Sequence, residues 1–225
     1  MSTPAIDLRS VVALREGYPV LRRLHLRVEP GEVVLVTGAN GAGKTTLLHV
    51  LAGLLPVAAG DGTILGHRLQ TERDRIRRRV SLVGHETCCY DDLTVRENLV
   101  FHARLAGLRG ADAEAEMGRL GLEGLADRHH GRLSAGQRRR CALAVALVRG
   151  ADLLLLDEPH AALDGEGREL VDRLVPEAAA QGATVVVVSH EPDRLRPFSQ
   201  QSLAMEDGRL RAMSDPRMTI KIDSH

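Results

Sequence analysis

Lysine is nearly missing from this sequence. Of its 30 basic residues only Lys44 and Lys221 are lysine, and all the others are arginine. A lone lysine in an arginine-dominated chain, set in a glycine-rich stretch, makes Lys44 the first position to read. Net charge is missing as well. Thirty acidic residues balance the thirty basic ones, so no general electrostatic pull toward DNA, RNA or anionic lipid is expected. Long apolar runs are absent too. The longest, Cys141 to Val148, has eight residues, against the roughly 18 that a membrane span needs. The first residues lack the basic and apolar regions of a signal peptide. Three cysteines, two of them adjacent (Cys88 and Cys89), build no disulfide framework. These absences lead to the expectation of a soluble, cytoplasmic chain. What is present is ordinary: 225 residues, 44% of them apolar, enough for a sizeable core.

Short apolar runs punctuate the chain at Val33 to Thr37, Val80 to Gly84, Leu153 to Leu156 and Thr184 to Ser189. Continuous rather than alternating hydrophobicity predicts strands covered on both faces, as in a parallel sheet between helices. Helical patterns follow three of them, at Lys44 to Gly53, at Gly165 to Ala180 and in a short Asp193-led segment. The first 30 or so residues and the stretch Ser202 to Met213 read as antiparallel strands, the latter turning at Asp207-Gly208. From about Thr94 to Arg149 the pattern is helical throughout. Thr94 and Glu97 form a capping box, Asp112 starts a second helix, and Ser134 caps a third. The organisation expected is a single domain over residues 1–225. Residues 1–85 and 151–225 form an α/β core with an antiparallel part, and residues 86–150 form an inserted helical lobe.

Gly38-Ala39-Asn40-Gly41-Ala42-Gly43-Lys44-Thr45 fits G-x-x-x-x-G-K-[ST] between a strand and a helix, with Thr46 following. Glycines let backbone N–H groups curl around phosphate, and the helix N-terminus adds its positive dipole end. Lys44 then reaches the β- and γ-phosphates and the Thr45 hydroxyl serves as a Mg²⁺ ligand. Leu153 to Leu156 carries Asp157 and Glu158 to the C-terminal end of a strand, where ligands bind in open α/β sheets. Asp157 would hold Mg²⁺ and Glu158 would polarise the attacking water.

Leu133-Ser134-Ala135-Gly136-Gln137 resembles the L-S-G-G-Q signature of ATP-binding cassette (ABC) ATPases, with Ala135 in place of the first glycine. Read physically, a serine cap and small residues at a helix start offer free backbone donors to an anion. The resemblance extends from about Ile6 to Leu210. Tyr18 occupies the place of the aromatic that stacks on adenine, Gly31-Glu32 opens the strand before the phosphate loop, Ala162-Leu163-Asp164 looks like the D-loop, and His190 looks like the switch histidine that senses the γ-phosphate. It implies a P-loop NTPase fold of the ABC type, α/β with an antiparallel β subdomain and a helical subdomain. ATP and Mg²⁺ are the implied cofactors. Two cassettes are expected to pair head to tail, so that Ser134, Ala135, Gly136, Gln137 and Asp164 of one chain complete the ATP site of another. The partners implied are a second cassette and separate integral-membrane subunits, with no nucleic acid, and the implied location is the cytoplasmic face of the membrane.

Two departures narrow the resemblance. His85 stands where the family's Q-loop has glutamine, as a possible Mg²⁺-shell and catalytic contact of changed hydrogen-bonding character. Gly84-His85, Leu93-Thr94-Val95-Arg96-Glu97-Asn98-Leu99 and Ser134-Ala135-Gly136-Gln137 together resemble the ATPase subunit of haem exporters used in cytochrome c maturation. General exporters of drugs or lipids share the Leu93 to Leu99 pattern. A soluble cassette ATPase acting on ribosomes or DNA, and a regulatory module without turnover, are the competing classes. The single cassette and neutral charge speak against the first, and the intact Lys44, Asp157, Glu158 and His190 against the second. Arg75 to Arg79 and Arg138 to Arg140 read as solvated helix faces. Cys88 and Cys89, being adjacent, are not expected to face one metal together.

Overall fold

The computed structural model describes residues 3–84, 88–107 and 110–213. Two sheets organise it. The first is antiparallel, in the order β2-β1-β4-β5, built from β1 (Ile6–Arg15), β2 (Tyr18–Val28), β4 (Ala59–Ile64) and β5 (His67–Arg68). The second has the order β10-β9-β3-β8-β7-β6, from β3 (Val33–Thr37), β6 (Val80–Val83), β7 (Leu153–Asp157), β8 (Thr184–Val188), β9 (Gln201–Glu206) and β10 (Arg209–Ala212). All its neighbouring pairs are parallel except β9 with β10. The helices are α1 (Lys44–Leu51), α2 (Arg73–Arg79), α3 (Val95–Leu105), α4 (Gly110–Arg119), α5 (Ala135–Val148), α6 (Gly165–Ala180) and α7 (Pro192–Leu195). The second helix of the middle region thus starts at Gly110, two residues before the Asp112 expected from the sequence.

The continuous apolar runs have a direct cause. Successive residues of a strand face opposite sides of the sheet, and here both sides are covered. Val33, Leu35, Leu154, Leu156, Val185 and Val187 pack with helices α3 to α6. Val34, Val36, Leu153, Leu155, Val186 and Val188 pack instead with α1, α2 and the antiparallel sheet. A polar residue at any of these positions would face a core, which is why β7 and β8 are buried along their whole length.

Between β6 and α5 the described residues are held by helix ends rather than sheet strands. Thr94 accepts from the Glu97 amide at 3.2 Å, and Glu97 Oε2 accepts in return from the Thr94 amide at 2.8 Å, closing the expected capping box. Asn98, fully buried, organises the loop ahead of it. Its Nδ2 donates to the carbonyls of Tyr90 and Thr94, each at 3.0 Å, and its Oδ1 accepts from the Tyr90 amide at 2.8 Å. The Glu97-Asn98 pair therefore fixes the shape of residues 90–94 from two sides. Among the described residues no helix is long and apolar enough to cross a membrane.

Candidate functional site

Strands β3, β8 and β7 are neighbours, with Val36 opposite Val188 and Val188 opposite Asp157. The loops that leave their C-terminal ends therefore emerge side by side. The first is the glycine-rich loop. Gly38 has φ 148°, and a Cβ there would come within 2.4 Å of the Met205 carbonyl oxygen, so no side chain fits. Gly43, at φ 110°, is the N-cap of α1 and gives it no side-chain hydrogen bond, and the first turn carries no acid. Helix α1 thus begins with its amide donors uncapped, a ready site for an anion.

Lys44 is 8% exposed, and its ammonium donates to the carbonyls of Gly38 at 2.7 Å and Ala39 at 3.0 Å. The ammonium bridges the loop from within, its hydrogens met by two carbonyl dipoles. The Thr45 hydroxyl donates to Asp157 Oδ2 at 2.8 Å, and Thr46 is buried beside it. Hydroxyl and carboxylate oxygens at this separation are the hard donors that Mg²⁺ prefers.

Glu158 follows in the left-handed region at φ 49°, a conformation that costs a side-chain-bearing residue about 1–2 kcal/mol. Its amide donates to the Val188 carbonyl at 2.9 Å, which ties the turn to the neighbouring strand. The turn aims the carboxylate at His190. Glu158 Oε2 accepts from the His190 amide at 3.0 Å, while Oε1 lies 3.3 Å from His190 Nε2. That Nε2 is also 3.1 Å from Asn40 Oδ1. Asn40, Lys44, Thr45, Asp157, Glu158 and His190 line one cleft of about 500 Å³, with Gly41 and Gly43 in its wall.

The signature residues lie elsewhere. Ser134 accepts from the Gln137 amide at 3.3 Å, and Gln137 Oε1 accepts from the Ser134 amide at 3.0 Å, a second capping box. Gly136 packs on the turn that carries Ala162, whose φ is 63°. Asp164 caps α6 by accepting from the Gly167 amide at 2.9 Å. Ala135 lines a second cleft, with Leu133, Arg139 and Ala162, that meets the first at Asp157 and Glu158. None of Ser134, Ala135, Gly136 and Gln137 lines the cleft of Lys44. Tyr18 is 76% exposed at the start of β2, which rules out a core role. His85 lies outside the described residues.

One residue of this region was misread from the sequence. Arg139, grouped there with solvated arginines, is 8% exposed. Its guanidinium donates to the backbone carbonyls of Asp157, Glu158 and Gly84, at 2.8 Å for Glu158. Burial pushes its pKa down, and the nearby Asp157 and Glu158 push it back up. Helix α5 is joined in this way to the acidic strand end and to the residue before His85. Helical periodicity does not mark it, because Arg138 and Arg140 stand at the same three- and four-residue spacings from buried residues of α5.

The sequence signature of the family described as "ABC transporter" matches residues 21–161. The cytochrome c biogenesis ATP-binding export protein CcmA of Xanthomonas campestris is 40% identical over 208 residues, covering 90% of this chain and 94% of that protein. Nod factor export ATP-binding protein I of Burkholderia pseudomallei is 35% identical over 227 residues, covering 99% of this chain and 75% of that protein. Among solved structures, a dimeric ATP-binding cassette in a post-hydrolysis state with ADP and phosphate superposes with TM-score 0.81 at 26% identity, over 92% of this chain and 96% of that one.

Proposed function

The chain belongs to the ABC transporter family as an ATP-binding, ATP-hydrolysing subunit, and from that premise we propose that it energises the export of haem for c-type cytochrome assembly. Two relatives support this reading. The CcmA proteins of Xanthomonas campestris and Salmonella typhi, named for cytochrome c biogenesis, are 40% and 39% identical to this chain and match it over 94% and 90% of their own lengths. Gly84-His85 and Ser134-Ala135-Gly136-Gln137 resemble that subfamily in the same direction. The competing reading is a general exporter of drugs or lipids, and the relative named for Nod factor export supports an export substrate other than haem.

The observation that carries the ATPase chemistry is the convergence of Lys44, Thr45, Asp157, Glu158 and His190 on one cleft. In our reading the ATP phosphates displace the Gly38 and Ala39 carbonyls from the Lys44 ammonium and take the amides at the start of α1. Gly38, Asn40, Gly41, Ala42, Gly43 and Thr46 shape that cradle. Thr45 and Asp157 would hold Mg²⁺, which supplies charge neutralisation on the β- and γ-phosphate oxygens. Glu158 accepts a proton from the attacking water, and His190 donates toward the γ-phosphate. Asn40 and Glu158 hold the His190 ring in place until then. His85 would report the γ-phosphate state to the membrane partner, and Tyr18, exposed at the start of β2, would stack on adenine.

The signature residues stand apart from this cleft, which favours a head-to-tail pair in which Ser134 to Gln137 and Asp164 of one protomer cover the phosphate of its partner. Opening and closing of that pair would drive separate integral-membrane subunits at the cytoplasmic face. Deletion of the gene tests the haem reading. Haem staining of membrane proteins should lose the covalent c-type signal while b-type haem persists. Normal c-type cytochromes would assign the chain to general export.

A further inference from the structure

Outside the nucleotide cleft, three side chains from separate stretches of sequence meet below the surface. Cys89 comes from the loop after β6, His130 from the single turn before the signature, and Cys141 from the middle of α5. One ligand atom from each lies within 4.8 Å of the others. The two sulfurs are 3.9 Å apart. A disulfide needs about 2.05 Å, whereas two thiolates on a tetrahedral zinc ion with Zn–S bonds of about 2.3 Å stand about 3.8 Å apart. The observed spacing is that of a thiol–thiol hydrogen bond and also matches a metal edge.

The histidine is prepared for the same role. His130 is 2% exposed. Its Nδ1 lies 2.7 Å from Asp91 Oδ1. A carboxylate oxygen accepts, so Nδ1 donates to it, and in the neutral imidazole Nε2 then presents its lone pair. That Nε2 is sealed from solvent and has no hydrogen-bond partner. A buried imidazole acceptor left unsatisfied is costly, and a carboxylate behind a ligating histidine is the usual outer support of a metal site. The adjacency of Cys88 and Cys89 does not matter, since only Cys89 faces this point and its companion sulfur comes from α5.

We propose that Cys89, His130 and Cys141 bind one thiophilic divalent cation of the zinc type, with Asp91 orienting His130. Two thiolates and an imidazole are a soft, borderline donor set that suits Zn²⁺ rather than Mg²⁺ or Ca²⁺. Cys89, Asp91 and His130 line the cleft shared with Ala135 and Arg139, which gives an ion entry. Binding releases the two thiol protons to solvent as the metal–sulfur bonds form. The bound ion would tie Cys89, which lies between β6 and α3, to the middle of α5, the helix that starts at the signature.

The test uses the full, untagged chain, reduced and stripped of metal, titrated with Zn²⁺ and, as a spectroscopic probe, with Co²⁺. One Zn²⁺ per chain is expected, with sulfur-to-cobalt charge-transfer absorption. Cys89→Ala and Cys141→Ala should abolish both. Asp91→Ala, an exposed position, should weaken binding about 10- to 100-fold, while Cys88→Ala leaves it unchanged. ATP binding by each variant reports folding, and if Cys141→Ala does not fold, Cys89→Ala and Asp91→Ala decide. Absence of stoichiometric binding, binding that survives Cys89→Ala, or a Cys89–Cys141 disulfide in the anaerobically isolated chain would overturn the proposal.

Discussion

A Cβ at Gly136 would lie 2.9 Å from the carbonyl oxygen of Ala162. The start of α5 and the turn before α6 are therefore in backbone contact, and the glycine is there because nothing larger fits. Ala135, one residue earlier, is exposed at the helix start and lines the second cleft.

Gly136→Ala should accordingly push the signature off the Ala162 turn. Overpacking of this kind costs about 1–3 kcal/mol, readable as a shift in the urea midpoint. ATP affinity of the monomer should be unchanged, because Lys44 and Thr45 are untouched, while hydrolysis falls. Equal losses of affinity and turnover would show that the two clefts are not separable in this way.

Arg139→Lys tests the join between α5 and the acidic strand end. Lysine keeps the charge but cannot span three carbonyls with one fork. Stranding buried carbonyls costs about 1–3 kcal/mol, and the Asp157-Glu158 turn loses its clamp. Thermal unfolding should move down, and phosphate release should fall more than nucleotide binding does. A variant with wild-type turnover would show that the turn holds its shape without Arg139.

Ser134→Arg and Lys44→Ala should each abolish hydrolysis alone. Mixed together, they leave one site of a head-to-tail pair free of both lesions, so part of the activity should return. Proven mixed dimers without recovery would rule out composite sites.

The parallel sheet and its phosphate loop were legible because both faces of each strand are covered and the glycine spacing is dictated by backbone contact. Thr94 and Ser134 announced their helices through capping boxes that depend only on neighbours in sequence. Contacts between distant segments were not legible. Arg139 looks like its flanking arginines until α5 is packed against β7, and Cys89 finds Cys141 and His130 only through tertiary packing. The start of α4 was also missed, because Asp112 resembles a cap while the helix already runs from Gly110.

Glu158→Gln is the most direct test of the account, because it removes the proposed proton acceptor while keeping shape and the proposed ATP cradle. Size-exclusion with saturating ATP and Mg²⁺, paired with phosphate release, reads both consequences. Hydrolysis should drop about 10²- to 10⁴-fold, and the chain should elute as an ATP-bound dimer that the wild type forms only transiently. A Glu158→Gln chain that hydrolyses at the wild-type rate, or stays monomeric with ATP bound, would contradict the role of Glu158 and the ATP-driven pairing built on it.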